Sequence, residues 1–546
     1  MRTGLAALAV ALAAAAPALA QEAPAPAPAP NADTIVIQET PVPGVVETSI
    51  EALDAMLANG RVDSAFLVEA YMERIEAIDR AGPTLRSVIV TAPAKDLRAD
   101  ARDSDARRKA GKPLGPLDGI PVLIKDNIET QNMPTTAGSL ALANNDTGRD
   151  APLVARLRTA GAIILGKTNL SEWANIRSNH SMSGWSAVGG LVKNPYALDR
   201  SACGSSSGSG AAVAASLAAV AVGTETDGSV VCPAAMNGLV GLKPTVGLVS
   251  RTGVVPISHS QDTPGPMGRS VKDVAILFGA MVGSDPADPA TKDADKHRKD
   301  YAKGLSPDGL KGLKIGYWKP EMAESLAGRF DQALDELKLA GAELVEVKLP
   351  ELNGLGEAES LVLHTELKAD LAAYLATTPA SVTTKTLADL IAFNEAHKAA
   401  EMPFFGQETF VKSEATRGLE DPDYQAALAK SQRLAGPEGI DAMLKAGGVQ
   451  LLVTPTYGTA WLSDPAHGDQ SEGPSASRLP AVSGYPHLTV PMGLVNGLPA
   501  GLSFIGTAYS EALLLQAGYA YEQATHARVP PKYLPTIPAD LGPRQL

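Results

Sequence analysis

The first patterned part of the chain follows the period of a helix. One set of apolar residues at helical spacing comprises Ile50, Leu53, Met56 and Leu57. Thr48 and Glu51 have the spacing of a capping box, which predicts that this helix begins just after Thr48. A second helix is predicted from about Asp63. Its apolar residues at helical spacing are Phe66, Ala70, Ile75 and Ile78.

Short apolar runs then alternate with helical stretches. These runs are residues 88–90, 122–124, 163–165, 313–318, 344–347, 451–453, 488–490 and 502–505. They are short, rich in β-branched residues and bounded by Gly and Pro, which is typical of buried strands. Strands that alternate with helices predict an α/β fold.

The domain organisation follows from the same pattern. Between about residues 354 and 447 the chain is mostly helical and more charged, and strand-like runs resume at Val449. A chain of 546 residues is long enough for several domains, but it has no repeats and no further linker after its N-terminal part. We therefore expect one large domain, residues 45–546, that carries a mostly helical insertion at about 354–447.

The N-terminal residues resemble an export signal. Arg2 precedes an apolar stretch, and small residues occupy the cleavage positions of residues 17–20 (PALA). Residues 1–20 are therefore predicted to be a cleavable signal peptide, and the Pro/Ala-rich residues 21–44 a stiff spacer. This predicts a periplasmic or secreted protein.

The charge of the chain excludes some classes of partner. The formal net charge is −13 and the sequence has no basic stripe. Nucleic acids and anionic membrane surfaces are bound through clustered basic residues, so neither is an expected partner. A small molecule or a peptide remains the expected ligand.

Two serine motifs and a lysine carry the candidate chemistry. Residues 204–210 (GSSSGSG) precede an alanine-rich helix predicted at Ala211–Ala219, and residues 223–229 (GTETDGS) end in a second serine, Ser229. Lys125 ends an apolar run upstream. A helix start presents backbone N–H groups and a positive dipole end. Two serines and a lysine can form an activated nucleophile without histidine, which indicates acyl transfer.

Other interpretations of these motifs are weaker. A serine-glycine run is often a flexible linker, but here it leads directly into a helix. Ser206 is the centre of a G-x-S-x-G motif, yet the polar residues before it do not form the strand that a nucleophile elbow requires. The run has no Gly-Lys pair of a phosphate-binding loop, and no serine has a lysine three residues later. The scattered histidines predict no metal site.

The two cysteines flank the serine motifs. Cys203 lies two residues before Ser205, and Cys232 lies three residues after Ser229. An oxidising compartment would permit a disulfide if the serines meet. Sequence does not supply the geometry that a disulfide requires, so we expect two buried free thiols.

Several segments in the same order closely resemble the amidase signature family. They are residues 119–127 (GIPVLIKDN), 166–169 (GKTN), 204–210, 223–233 (GTETDGSVVCP), 241–245 (GLKPT) and 498–502 (LPAGL). The resemblance spans about residues 45–530. Within that family the chain is most similar to the peptide amidases, through residues 173–175 (WAN) and 194–200 (NPYALDR). It implies a single large domain with a mixed central sheet covered by helices.

The resemblance also implies a Ser-Ser-Lys triad. Ser229 matches the nucleophile, Ser205 matches the bridging serine that follows a cis peptide bond, and Lys125 matches the general base. The family pattern has Gly-Gly before the nucleophile, whereas this chain has Asp227 and Gly228, and a carboxylate there can alter the oxyanion pocket or the choice of substrate. The implied reaction is hydrolysis of a carboxamide, with C-terminal peptide amides as the expected substrates and no metal or organic cofactor.

This chemistry places requirements on the residues around the triad. A neutral Lys125 needs a pKa several units below its usual value, which burial and a helix N-terminus favour. Strand alternation should direct Asp126 away from Lys125. Backbone N–H groups from Thr226 to Ser229 are expected to bind the oxyanion. Two rival functions stay open: an esterase with a Ser-His-Asp triad using Ser206, and a non-catalytic protein that binds amides or peptides.

Overall fold

The structure, a computed structural model, describes residues 44–538. The predicted signal peptide, nearly all of the predicted spacer and the last eight residues of the chain lie outside the described residues. One eleven-stranded mixed sheet forms the centre of the fold, with helices packed against it, which confirms the α/β prediction. The strands are β1 (Val88–Thr91), β2 (Pro121–Lys125), β3 (Ile163–Thr168), β4 (Trp185–Ser186), β5 (Gly190–Leu191), β6 (Val220–Glu225), β7 (Val240–Lys243), β8 (Thr263–Gly268), β9 (Lys314–Tyr317), β10 (Glu343–Glu346), β11 (Leu451–Pro455), β12 (His487–Val495) and β13 (Leu498–Ile505).

The sheet order is β1-β3-β2-β6-β8-β7-β12-β13-β11-β9-β10, and β4 and β5 form a separate hairpin. Strands β3, β2 and β6 run parallel to one another, as do β11, β9 and β10. The other neighbouring pairs in the sheet are antiparallel. Both edges of the parallel segment β3-β2-β6 are covered by antiparallel neighbours.

All eight predicted strands are present, but the sequence pattern missed three strands at the centre of the sheet. These are β6, β7 and β8. The β8 sequence, TPGPMG, contains two prolines and two glycines, a composition that argues against a central strand. Close packing explains the glycine at position 265, because a Cβ atom there would lie 2.3 Å from the Leu242 carbonyl oxygen of β7.

The helices are α1 (Ile50–Ala58), α2 (Ser64–Arg74), α3 (Ala94–Lys109), α4 (Pro152–Thr159), α5 (Ser207–Ala214), α6 (Val231–Met236), α7 (Val271–Met281), α8 (Ala294–His297), α9 (Glu324–Leu339), α10 (Leu355–Ala376), α11 (Leu387–Ala396), α12 (Lys398–Glu401), α13 (Glu408–Glu414), α14 (Pro422–Ala435), α15 (Asp441–Gly447), α16 (Arg478–Ser483) and α17 (Glu511–Thr525). The regular elements between Leu355 and Gly447 are all helices. No helix among residues 44–538 is both long and apolar enough to cross a membrane.

Two helix starts differ from the sequence-based predictions. Ser49, rather than Thr48, caps α1 by accepting a hydrogen bond from the Ala52 N–H group, because the Thr48 hydroxyl donates to the Val46 carbonyl oxygen instead. Helix α5 begins at Ser207, inside the serine-glycine motif, and ends at Ala214 rather than Ala219. The small residues of that motif allow the helix to pack closely, since a Cβ atom on Gly208 would lie 2.3 Å from the Ser87 carbonyl oxygen.

Candidate active site

The parallel pair β2 and β6 brings two of the predicted site residues to one edge of the sheet. Lys125 is the last residue of β2, and Ser229 lies four residues after Glu225, the last residue of β6. Val122 of β2 pairs with Val220 of β6, so segments far apart in the chain lie side by side. Neighbouring parallel strands have their carboxyl ends at the same edge, where the sites of α/β proteins commonly lie.

The third predicted residue, Ser205, follows a cis peptide bond between Gly204 and Ser205. Its backbone carbonyl accepts a hydrogen bond from the Ser171 N–H group. The next residue links the two serine motifs, because the Ser206 N–H group donates to the Ser229 carbonyl oxygen at 3.2 Å. The structure thus brings both motifs and Lys125 to one location.

Lys125 is fully buried and contacts the serine loop. Its Nζ atom lies 2.8 Å from Ser205 Oγ and 2.9 Å from Thr224 Oγ1. Burial lowers the pKa of Lys125 to about 7, although the nearby carboxylates of Asp262 and Glu225 act in the opposite direction. A large fraction of this amine is therefore uncharged at neutral pH, as a general base requires.

Asp126 does not pair with Lys125. Its carboxylate forms an ion pair with Lys167 Nζ at 2.9 Å and accepts hydrogen bonds from the backbone and the hydroxyl group of Thr136. Both partners of the ion pair are fully buried. The carboxylate next in sequence to the candidate base is thus engaged by another cation.

Ser229 lies just before α6. Its side chain has no hydrogen-bond partner within residues 44–538, and 8% of its surface is exposed. The backbone at the start of α6 is fixed by Glu225, whose Oε2 atom accepts hydrogen bonds from the N–H groups of Val230 and Val231. The hydroxyl group is therefore accessible on a turn whose backbone is fixed.

The turn from Thr226 to Ser229 presents free donors. The backbone N–H groups of residues 226–229 have no acceptor in the part of the chain that the structure describes. Gly228 has a φ of 81°, and a Cβ atom there would lie 2.1 Å from Tyr457 Oη. Only glycine fits this position, for reasons of both conformation and space. Asp227 is partly exposed, but its Oδ1 atom is buried.

Ser206, the centre of the G-x-S-x-G motif, has a structural role. Its Oγ atom is buried, donates to the Thr224 carbonyl oxygen and accepts from the Thr224 N–H group. No histidine of the described residues forms a hydrogen bond with Ser206. This arrangement lacks the parts of a Ser-His-Asp site.

The expectation of two free thiols is wrong. Cys203 and Cys232 form a disulfide, with their Cα atoms 6.0 Å apart. The sequence could not show that the two serine motifs lie against each other, and this packing brings the cysteines within bonding distance. The disulfide links the chain just before Ser205 to the helix just after Ser229.

Removal of this disulfide is expected to weaken both the fold and the site. The bond closes a loop between residues 29 positions apart, so the double variant Cys203→Ala/Cys232→Ala should lower the free energy of unfolding by about 3 kcal/mol. The rate should also fall, because the two serine segments lose their covalent link. Thermal unfolding and amide hydrolysis measure both effects. Native protein treated with a dithiol reductant loses the same bond and should show the same shift relative to the oxidised protein. An unchanged unfolding midpoint in both samples would contradict the prediction.

Sequence reasoning missed several residues that surround the site. Thr224 lies within the motif of residues 223–229, contacts Lys125 Nζ and also accepts a hydrogen bond from Asn127 Nδ2. Asp262, Gln261 and Glu359 lie against the turn of residues 226–229. No sequence motif could have identified these three residues, since only tertiary packing brings them there.

One group of side chains has the composition of a metal site. It consists of His259, Glu366 and Asp370, whose ligand atoms all lie within 4.8 Å of one another. These atoms already bond within the protein, because His259 Nδ1 lies 2.9 Å from Asp370, and Glu366 accepts from the hydroxyl groups of Ser260 and Tyr424. The group joins the loop that contains Gln261 and Asp262 to α10.

Comparison with known proteins agrees with this geometry. The family model described as Amidase matches residues 67–515. This chain belongs to the amidase signature family. It is 52% identical to the peptide amidase of Stenotrophomonas maltophilia, whose crystal structure matches with a TM-score of 0.85 over 89% of this chain and 98% of that chain. The fold and the enzyme class expected from the sequence are thereby confirmed, and the protein is an amide hydrolase.

Two curated relatives are also similar over most of their length. A probable amidase of Arabidopsis thaliana is 39% identical over 500 residues, which are 90% of this chain and 92% of the relative. The glutamyl-tRNA(Gln) amidotransferase of Halorhodospira halophila contains a subunit that is 36% identical over 500 residues, 89% of this chain and 99% of the relative. The relatives thus include a probable amidase and a subunit of an amidotransferase.

Proposed function

We propose that this amidase hydrolyses carboxamides through Ser229, Ser205 and Lys125. The observation that carries the proposal is the buried amine of Lys125, which lies 2.8 Å from Ser205 Oγ and has a pKa lowered to about 7. A serine hydroxyl group is a weak nucleophile until a base takes its proton. The accessible Ser229 hydroxyl group, which has no hydrogen-bond partner in the described chain, suits the role of nucleophile.

The proposed reaction passes one proton along the three side chains. Neutral Lys125 takes the proton of Ser205, which takes the proton of Ser229 as Ser229 Oγ attacks the amide carbon. The carbonyl oxygen becomes an oxyanion. Cleavage of the C–N bond then releases ammonia, which receives the proton back through the relay. Water adds to the resulting ester and releases the carboxylic acid, which restores the Ser229 hydroxyl group.

The oxyanion is proposed to bind the turn before Ser229. The backbone N–H groups of Thr226, Asp227, Gly228 and Ser229 have no internal acceptor among residues 44–538, so they are available to a developing negative charge. Donors fixed in this way before the reaction stabilise the transition state more than the substrate. Loss of one such donor lowers the rate about 10²- to 10³-fold in other hydrolases.

We infer that C-terminally amidated peptides are the substrates. The 52% identity with the peptide amidase of Stenotrophomonas maltophilia supports this class over aminoacyl-tRNA, since the identity with the tRNA-dependent amidotransferase component is 36%. The net charge of −13 is also unfavourable for binding tRNA. The signal-like residues 1–20 support action in the periplasm or outside the cell, where the disulfide is stable.

A panel of peptide amides, aryl amides and esters tests this proposal. The release of ammonia and of free acid is measured for each substrate with the native enzyme and with Ser229→Ala. We expect ammonia and acid in equal amounts from peptide amides, and no release by the variant. Faster release from esters than from amides would favour an esterase, and no release from any substrate would favour a protein that only binds amides.

A further inference from the structure

The side chain of Gln261 contacts one side of the peptide group between Thr226 and Asp227. Gln261 Nε2 donates a hydrogen bond to the Thr226 carbonyl oxygen at 3.2 Å. The Thr226 hydroxyl group donates to Asp262 Oδ1 at 2.5 Å. In a trans peptide group the C=O and N–H bonds point in opposite directions. The contact of Gln261 with the Thr226 carbonyl oxygen therefore turns the Asp227 N–H group to the opposite side, away from Gln261.

Gln261 is itself positioned by Glu359 of α10. The same Nε2 atom of Gln261 donates to Glu359 Oε1 at 3.3 Å, and both residues are buried. Arg478 of α16 lies 3.2 Å from Glu359 Oε2, but most of the Arg478 side chain is exposed. Glu359 is thus linked, through Gln261, to the orientation of a proposed oxyanion donor.

Glu359 also contacts the turn directly. Its carboxyl group lies close enough to that of Asp227 for the two groups to interact. A hydrogen bond between two carboxyl groups needs one proton, because two carboxylates in contact repel each other. Burial and the negative charge of Asp227 raise the pKa of Glu359 to about 8, and Arg478 opposes this shift. At neutral pH, Glu359 is accordingly the protonated partner.

Several other charged or titratable groups face this pair. They are Arg478 of α16 beside Glu359, and Glu225 of β6, Lys243 of β7 and Tyr457 after β11 beside Asp227. Glu225 is occupied by the N–H groups at the start of α6, and Tyr457 Oη lies 2.6 Å from Ser477 Oγ. The buried Asp227 Oδ1 atom has no hydrogen-bond partner among the described residues.

We propose that Glu359 is a positioning residue of the active site. Its carboxyl group accepts a hydrogen bond from Gln261 and, when protonated, donates one to Asp227, and so fixes the turn that presents the N–H groups of residues 226–229. Loss of the proton at high pH places two negative charges in contact and disturbs the turn. This proposal rests on the proposed function, since it assumes that the turn binds the oxyanion.

The test is the dependence of kcat/KM on pH, measured with one peptide amide from about pH 6 to about pH 10. In the native enzyme we expect activity to rise through about pH 7, where Lys125 loses its proton, and to fall above about pH 8, where Glu359 does. Glu359→Gln keeps a donor toward Asp227 and an acceptor for Gln261, but it cannot ionise. For Glu359→Gln, kcat/KM should still rise through about pH 7 but should not fall above about pH 8.

Two further variants separate positioning from a general effect on folding. Glu359→Leu removes the contacts with Gln261 and Asp227, as well as the ion pair with Arg478. We therefore expect kcat to fall about 10- to 100-fold at neutral pH with KM nearly unchanged, because the oxyanion forms only after binding. Glu359→Gln should lose less than Glu359→Leu. Glu357 lies on the same helix and is exposed, so Glu357→Gln should retain the native profile. Unfolding midpoints of all variants identify a loss of fold, and Glu359→Gln remains decisive if Glu359→Leu does not fold.

The outcomes distinguish this proposal from the proposed function. The role of Glu359 would be overturned if kcat/KM of Glu359→Gln fell above the same pH as that of the native enzyme. A native value of kcat in folded Glu359→Leu would overturn it as well. Asp227→Asn should abolish the fall as well, whatever its effect on the rate. The proposed function fails separately, if Ser229→Ala stays active or if no variant shows the rise near pH 7.

Discussion

Replacement of Ser229 by alanine is expected to remove amide hydrolysis, with kcat about 10⁶-fold lower, as for the nucleophile of another serine hydrolase. The variant loses the only atom that is proposed to bond to the substrate, and the base and the N–H groups cannot replace it. A serine-directed fluorophosphonate probe should label the native enzyme at Ser229 and leave the variant unlabelled. The fold should persist, because the Ser229 side chain makes no hydrogen bond in the described structure.

Ser206→Ala is the matched control for this experiment. Ser206 lies in the adjacent serine motif, but within residues 44–538 its hydroxyl group bonds only to the Thr224 backbone. The control should still react with the probe at Ser229. A labelled peptide that maps to Ser206 in the native enzyme would refute the assignment of Ser229 and restore the nucleophile-elbow interpretation.

Replacement of Lys125 by methionine is expected to lower kcat/KM about 10²- to 10⁴-fold, which is the usual contribution of a general base. The rise of activity through about pH 7 should disappear, because that rise reports the deprotonation of Lys125. Methionine fills a similar volume and needs no hydrogen bond, so the unfolding midpoint should not fall. Rates measured across pH, together with thermal unfolding, check both statements.

Lys193→Met controls for the loss of a lysine. Lys193 is partly buried, its pKa is lowered by burial, and its Nζ atom contacts Thr84 Oγ1 and the Pro83 carbonyl oxygen away from the serine loop. The Lys193→Met variant should show the same dependence of kcat/KM on pH as the native enzyme. A native enzyme whose rate does not depend on any base that titrates below about pH 9 would contradict the proton relay.

Much of the sheet could be predicted from local pattern. Strands such as β2, β3 and β11 are short apolar runs with polar ends, and their burial on both faces matches that pattern. The missed strand β8 shows the limit of this reasoning. Its prolines and glycines are unfavourable for an isolated strand, whereas Gly265 allows β8 to lie close to β7 in the sheet.

The candidate site divides in a similar way. Lys125, Ser205 and Ser229 could be singled out because they lie in long motifs that occur in order. Gln261 and Glu359 could not be singled out, because each lies in a segment without a motif. Gln261 contacts Thr226, 35 residues away in the chain, and Glu359, 98 residues away. The disulfide was also missed, because its formation depends on how the two serine motifs pack.

By itself the sequence determined the class of this protein: an α/β fold, two serines and a lysine in recognisable segments, and hence an amide hydrolase. These features are local, since hydrophobic period and motif are read from residues that are adjacent in the chain. Only the tertiary structure decided that the Lys125 amine is dehydrated against Ser205, that Cys203 is bonded to Cys232, and that Gln261 and Glu359 lie beside the turn before Ser229. The protonation state of a buried group depends on the groups that surround it in space, and the order of residues along the chain does not show which groups these are.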